Sequence, residues 1–283
     1  MESLTGRTAV ITGAGSGIGR ALALQCAGQG MQVVLADVDE IGLAETARLI
    51  DRHDQTFIVP TDVSNPKAVE ALADQVYEAT GDVGVVFNNA GVASGGWIWE
   101  TTPEDWAWIL GVNLMGVVHG IRAFVPRMLA EKRPGYIVNT ASAAGLMSVP
   151  AASVYCASKH AVVTLSECLY HELHLKNADI GVSVLCPSFV QTGIVDSERH
   201  RPTALRRSSG SHVSRDPNLE RGMRNATLSA DDVARMAVQA VKDGTFYVVP
   251  HEKVWAGVNE RFAFMREKQS PRCGVLPSNE RKI

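Results

Sequence analysis

Thr8-Ala9-Val10-Ile11-Thr12-Gly13-Ala14-Gly15-Ser16-Gly17-Ile18-Gly19 is the stretch on which the fold turns. Thr8 to Ile11 is a short apolar run, the pattern of a parallel strand buried on both faces. It feeds directly into a glycine-rich turn, and a helical pattern follows through Arg20-Ala21-Leu22-Ala23-Leu24. Glycines permit a tight turn and let main chain approach a pyrophosphate, whose charge a helix N-terminus favours. Glycines alone fit an ordinary turn equally well. The context is more specific, because a second apolar run, Gln32 to Ala36, ends at Asp37. That lies about 20 residues beyond the turn, where a carboxylate can accept hydrogen bonds from an adenosine ribose. The same carboxylate repels a 2′-phosphate, and neither Ser16 nor Val38 offers a cation to offset it. The expected cofactor is therefore NAD rather than NADP.

Working outward, strands alternate with helical stretches. A helix is expected near Asp39 to Arg52, a strand at Thr56 to Val59, and a helix from Pro66 with Asn65 as its cap. A strand at Val83 to Phe87 runs into Asn88-Asn89-Ala90-Gly91. Thr102-Pro103-Glu104-Asp105 opens a long helix, with threonine as cap and an acidic first turn. It is expected to pass Asn113 and to end or bend around Pro126. A strand at Gly135 to Thr140, a helix near Ala152 to Asn177 and a strand at Ile180 to Cys186 follow. Ser229 caps a last helix, and Phe246 to Val249 forms a short final strand. Such alternation implies right-handed crossovers and an α/β fold with a doubly wound parallel sheet, Rossmann-like, in a single domain. Ligands on these sheets bind beyond the C-terminal strand ends. Gly13, Asp37, Asp62, Asn89, Ser142 and Pro187 all follow strands, which gathers them on one edge.

The helix from Ala152 carries Tyr155 and Lys159, four positions apart and so on one face. A phenol is a poor base at neutral pH, with an ordinary pKa of about 10. An ammonium ~5 Å away, at an effective dielectric of about 20, favours the phenolate by roughly 3 kcal/mol, or about two pKa units. By itself this spacing arises by chance on many amphipathic helices.

Composition narrows the field. A chain of 283 residues with net charge −3 is long enough for one large core and gives no footing for nucleic acid. Its five cysteines form no C-x-x-C pair. Cys26, Cys168 and Cys186 lie in apolar periodic segments, which reads as reduced core thiols. The first strand begins within ten residues of Met1, and no apolar run approaches the ~20 residues of a membrane span. A cytoplasmic protein without a membrane partner is expected. His171 and His174 stand three apart rather than four, so the zincin pattern is not met and no metal is expected.

In its ordered motifs the chain resembles the short-chain dehydrogenase/reductase family, in the single-domain branch of roughly 250 residues. The resemblance rests on the turn Thr12 to Gly19, Asp62, Asn88-Asn89-Ala90-Gly91, Asn113, Ser142, and Tyr155 with Lys159, in that order. It implies a single NAD-binding catalytic domain over residues 1–283, with catalytic Asn113, Ser142, Tyr155 and Lys159. Tyr155 would be the proton-transferring group, and Lys159 would lower its pKa and hold the nicotinamide ribose. Ser142 would hydrogen-bond the reacting oxygen, making Ser142 and Tyr155 the substrate contacts. Asn113 would hold a relay water, a role that depends on a local break in helix geometry. Gly13, Ser16, Gly17, Ile18, Gly19 and Asp37 would hold the adenosine diphosphate end of the cofactor. Asp62 and Val63 would meet the adenine, Asn89 the adenosine-side ribose region, and Val190 and Thr192 the carboxamide. Taken singly, Ser142 also reads as a turn serine, Asn113 as a helix-surface amide and Asp62 as a helix-start carboxylate.

Three departures from the family pattern stand out. Pro187-Ser188 replaces the usual Pro-Gly, which a serine tolerates only at negative φ. Residues 193–225, the substrate lid of the family, are polar and arginine-rich (Arg199, Arg201, Arg206, Arg207, Arg215, Arg221, Arg224). That composition suggests mobility without substrate. The arginines could grip an anionic substrate tail or form a solvated loop balanced by Asp196, Glu198, Asp216 and Glu220. Residues 251–283 extend beyond the last strand, and Trp255, Phe262 and Phe264 could pack across a subunit boundary. Trp97 and Trp99 could wall a pocket or an interface, while Trp106 and Trp108 read as packing residues of which at most one faces the core.

The resulting expectation is hydride transfer between NAD(H) and a secondary alcohol or ketone, medium-sized and largely apolar, by a homodimer or homotetramer. The alternatives are an NADPH-dependent 3-oxoacyl thioester reductase, which would employ the lid arginines, and a nucleotide-sensing regulatory protein without turnover.

Overall fold

The computed structural model describes residues 4–207 and 222–272. A parallel strand covered on both faces should bury every side chain, and β1 (Thr8–Thr12), β4 (Val85–Asn88) and β5 (Gly135–Thr140) do so along their whole lengths. With β2 (Gln32–Asp37), β3 (Thr56–Pro60), β6 (Ile180–Leu185) and β7 (Tyr247–Val248) they form one parallel sheet, ordered β3-β2-β1-β4-β5-β6-β7. The doubly wound reading holds. Chain direction along the sheet reverses between β1 and β4, and a crevice opens there beyond the strand ends.

Helices cover both faces. On one, α1 (Gly17–Gly28), α2 (Glu40–Ile50) and α7 (Ala230–Asp243) bury Leu22, Cys26, Leu43, Val233 and Val241 against Ile11, Val33 and Leu35. On the other, α3 (Pro66–Thr80), α5 (Gly116–Glu131) and α6 (Ser153–Leu175) bury Leu72, Phe124, Met128 and Leu169 against Val10, Val34 and Ile137. Fully burying such aliphatic and aromatic side chains is worth about 1.5–3 kcal/mol each.

α4 (Pro103–Leu110) and α5 are joined through a π-helical turn, Gly111–Met115, in which the Gly116 N–H reaches back five residues to the Gly111 carbonyl. The helix break expected at Asn113 is this turn. The expected ending at Pro126 does not occur, and α5 runs on to Glu131. Pro126 and Arg122, whose carbonyl loses its partner, both face solvent, so water can take the lost bond's place. The whole rod Pro103–Glu131 is long and apolar enough to cross a bilayer, which corrects the expectation that no run approaches that length. Half of its most apolar 18-residue window is buried inside the fold.

Other expectations are corrected as well. Residues 193–207 carry 3₁₀ turns at Gly193–His200 and Thr203–Leu205. Arg215, Arg221, Asp216 and Glu220 lie outside the described residues. The C-terminal extension forms an additional helix, α8 (Lys253–Arg266), whose Val254 and Val258 pack on Ala143, Leu146 and Met147 within the same chain. Trp255 and Phe262 remain exposed on it. Cys26 and Cys186 are core thiols, pushed up to about 12 by burial. Cys168 is exposed instead, because it falls off the α6 stripe that buries Val162, Ser166, Leu169 and Leu173.

Candidate active site

The glycine turn is shaped by steric exclusion. Gly13 and Gly17 have φ of +70° and +52°, conformations that a side chain rarely adopts. A Cβ on Gly19 would stand 2.0 Å from the Gly13 carbonyl oxygen, so α1 begins flush against the turn. Asp37, at the end of β2, ties the turn from the neighbouring strand: its Oδ2 accepts from Gly15 N at 2.9 Å and its Oδ1 from Asp39 N at 3.1 Å. The Arg20 guanidinium donates to the Gly15 carbonyl and, at 3.0 Å, to the Thr46 hydroxyl. It is thus employed in bracing the turn.

Across the crevice, Thr12 Oγ1 accepts from the Asn89 and Ala90 N–H groups at 2.9 and 3.1 Å. The Asn89 amide donates to the Thr12 carbonyl at 3.0 Å and accepts from Thr140 Oγ1 at 3.4 Å. It therefore cross-ties β1, β4 and β5 where the sheet order reverses. Asp62 Oδ1 accepts from Ser64 N at 2.9 Å and Ser64 Oγ at 2.7 Å. Val63 buries its side chain against Gly116 while its carbonyl meets His119 Nδ1. Val190 is buried and bridges Leu228, and the Thr192 side chain lies across Gly17, about where a Cβ would touch it at 3.0 Å.

The helix face predicted to carry chemistry meets this crevice. Lys159 is buried, and its Nζ donates to the Thr140 carbonyl at 2.8 Å while standing 5.8 Å from the centre of the Tyr155 ring. Ser142, on the turn after β5, lines the same cavity as Tyr155; its hydroxyl donates to the Pro187 carbonyl at 3.3 Å and accepts from Ala144 N at 3.1 Å. Burial governs both titratable groups. It pushes the Tyr155 phenol up to about 12, against a smaller lowering by Ser142. It draws the Lys159 ammonium down to about 8. This corrects the sequence argument, which counted the attraction of Lys159 for a phenolate and left out the desolvation of both groups.

Asn113 is fully buried in the π turn. Its Oδ1 accepts from Val92 N at 2.8 Å, and its Nδ2 donates to Val92 O at 3.0 Å and to Ser158 Oγ at 3.1 Å. The side chain locks the strand-end loop to α6. Ser188 keeps a negative φ, being absent from the residues at positive φ, and its N–H donates to His251 Nδ1 at 3.2 Å. The serine is therefore accommodated where the family pattern has glycine.

One continuous cavity of about 670 Å³ connects the glycine turn, Asp37, Asp62 and Asn89 with Ser142, Tyr155 and Lys159. Beyond Tyr155 its walls turn apolar, with Trp108, Met147, Val149, Pro150, Leu205 and Met223. Trp97 and Trp99 stack on each other at 5.5 Å and are exposed, and they are not among its lining residues. Ala151, at the entrance to α6, lines it in the left-handed conformation with φ +56°.

What the sequence did not reveal lies at residues 198–207. Asp105 Oδ1 accepts from Arg201 Nη2 at 2.7 Å and Arg207 Nε at 2.8 Å, while its Oδ2 accepts from Thr102 N at 3.0 Å in the capping box. Arg201 also binds both oxygens of Glu198, at 2.8 and 2.9 Å, and stacks 4.2 Å over Trp108. Arg207 Nη2 donates to Ser94 Oγ at 2.6 Å. Burial would push the Asp105 carboxyl up, but the Thr102 N–H and the two guanidinium groups outweigh it and hold it below the usual value. Arg201 and Arg207, two of the seven arginines read as substrate-gripping or solvated, are thus paired with a carboxylate at the start of α4. Among the sequence signals, only the acidic first turn after Thr102 pointed here, and a cap alone accounted for it.

A parallel sheet with a glycine cradle at its reversal and a Ser-Tyr-Lys wall defines a nicotinamide-dependent oxidoreductase of the Rossmann type. The chain belongs to the short-chain dehydrogenase/reductase family: the family model described as short chain dehydrogenase matches residues 7–203, and this family binds a nicotinamide cofactor. It is similar to a short-chain dehydrogenase/reductase from Burkholderia phymatum solved in complex with NAD, at 47% identity and TM-score 0.95, covering 98% of this chain and 100% of that one. A dehydrogenase/reductase of CLA biosynthesis from Lactiplantibacillus plantarum is 33% identical, covering 89% of this chain and 90% of that protein. The 1-deoxy-11-beta-hydroxypentalenate dehydrogenase of Streptomyces exfoliatus is 35% identical, covering 90% and 87%.

Proposed function

We propose that this chain transfers a hydride between NAD(H) and a secondary alcohol or ketone that is medium-sized and largely apolar. The observation that carries the reading is the convergence of Ser142, Tyr155 and Lys159 on one wall of a cavity that begins at the glycine cradle. The cradle fits the cofactor because the space beside Gly13, Gly17 and Gly19 admits no side chain. Gly13, Ser16, Gly17, Ile18 and Gly19 would hold its diphosphate, Asp37 its adenosine ribose, and Asp62 and Val63 its adenine edge. Asn89 acts there as a brace, while Val190 and Thr192 close the carboxamide end. When bound, the cofactor supplies the hydride acceptor and, in its oxidised form, a positive charge.

Tyr155 gives or takes the substrate proton at its hydroxyl, and Ser142 holds the same substrate oxygen, stabilising charge that develops on it. Lys159, fixed by the Thr140 carbonyl, carries its charge below about pH 8 and favours the phenolate from one helical turn away. Because both ends of the Asn113 amide are occupied, a relay water toward Lys159 would rest on the main-chain carbonyls of the widened turn. Preference for NAD is supported by Asp37, whose carboxylate would face a 2′-phosphate, with Arg20 already tied to Gly15 and Thr46. Pairing into a dimer or tetramer through α4–α5 and α6 would cover Met115, Leu129 and Tyr170, which are exposed. The internal pairing of Arg201 and Arg207 argues against the acyl thioester alternative.

A panel of secondary alcohols and ketones, followed at the nicotinamide absorbance band with NAD(H) and NADP(H), tests the reading. Turnover of an apolar member with NAD(H) is expected, and Asp37→Ala should narrow the gap between NADH and NADPH. No turnover of any member, or a wild-type preference for NADPH, would overturn the reaction or the cofactor assignment respectively.

A further inference from the structure

We propose that Asp105 determines substrate specificity: by neutralising Arg207 in the cavity wall, it makes this site select uncharged substrates over otherwise identical carboxylates. The proposal rests on the reading of the cavity as a substrate site and concerns its lid end.

Among the described residues, Arg201 and Arg207 face Asp105 and Glu198, two cations against two anions. Asp105 and Arg201 are almost wholly enclosed, with side chains 1% and 2% exposed, and Arg207 is 14% exposed. Of the two arginines, Arg207 lines the cavity, beside Leu205, Pro202 and Ser94. Its Nε is held by Asp105 and its Nη2 by Ser94. Arg199, a further cation on the lining, is exposed and donates to the Gly193 and Asp196 carbonyls, so water screens it. His200 also lines this end.

A guanidinium in such a place is the usual recognition group for a carboxylate, which it binds through paired N–H donors. Here the carboxylate comes from the protein. A substrate bearing its own carboxylate near Arg207 would have to displace Asp105, which is buried and cannot be rehydrated where it stands, or would confront Glu198. A neutral apolar chain meets no such cost. Were the Asp105 charge removed, Arg207 would be a low-dielectric cation open to the cavity, and an anionic substrate end would become its partner.

The test uses matched pairs of medium-chain methyl ketones that end in a free acid or in its methyl ester, assayed with the full-length wild type, Asp105→Asn, Glu198→Gln and the double variant Asp105→Asn/Arg207→Met. The ratio of kcat/KM for ester over acid should fall at least tenfold in Asp105→Asn and by less in Glu198→Gln. It should return toward the wild-type value in the double variant. Glu198, half exposed, provides the test where Asp105→Asn fails to fold. Calorimetric binding of the same ester and acid to NADH-loaded protein measures the same ratio without chemistry. If neither ketone is turned over, the functional reading fails, while the binding ratio still judges the charge filter. A wild type that prefers the acid, or a ratio unmoved in both single variants with NADH affinity intact, would overturn the proposal.

Discussion

On the glycine-turn side of the cleft, position is set by main chain: glycines at +70° and +52°, a Cβ-free contact at Gly19, and strand ends tied by Thr12 and Asn89. On the lid side, position is set by side-chain charge, with two guanidinium groups from residues 201 and 207 closing on the single carboxylate of Asp105. The first kind of construction is short-range and fails only when an atom is added where none fits. The second spans 96 residues of chain and fails when a charge is subtracted. One cavity is therefore walled at one end by main-chain packing and at the other by paired charges.

The comparison can be broken from either side. The largest effect is expected at the charge-paired end: Asp105→Ala leaves Arg201 and Arg207 buried with Glu198 as their remaining carboxylate among the described residues. Removing one partner of a buried pair costs about 3–5 kcal/mol, read as a lower denaturation midpoint at unchanged m-value. A loss below about 1 kcal/mol would mean that the lid is not held by this network. Gly19→Ala attacks the main-chain end. Its Cβ would collide with the Gly13 carbonyl, and NADH affinity should fall about a hundredfold, roughly 2.7 kcal/mol, in a fluorescence titration. Retained affinity would show that the cradle tolerates main-chain movement.

A smaller and subtler effect concerns the wall between them. Lys159 has a folded pKa drawn down to about 8 from an ordinary 10.5. Between these values the unfolded chain binds the extra proton, so stability gains from this group as pH rises from about 8 to 10.5. The gain is absent below that window, where the lysine is protonated in both states. Lys159→Met should therefore lack this rise, and denaturant titrations of both proteins across the window would reveal it. Parallel pH profiles would contradict the burial of a titrating amine.

What could be read in the chain follows the same division. Thr8 to Gly19, Asn65-Pro66, Thr102 to Asp105 and the Tyr155–Lys159 spacing each encode a local geometry, and each was found where the pattern placed it. Even the break at Asn113 followed from the role expected of it. The Asp105–Arg201–Arg207 network was not legible, because arginine composition says nothing of which distant carboxylate a guanidinium will meet. Pro126 does not end α5, because Arg122, whose carbonyl it leaves without a helical partner, is exposed to water. The balance at Tyr155 was misjudged because spacing conveys charge separation and not the desolvation that the folded walls impose.

The most direct test is an ultraviolet difference titration of the Tyr155 phenol, wild type minus Tyr155→Phe, with and without saturating NAD. Without NAD the midpoint should lie near 12. With NAD it should fall by at least about two units, and the fall should shrink in Lys159→Met. A midpoint that stays near 12 with NAD bound would contradict Tyr155 as the proton-transferring group.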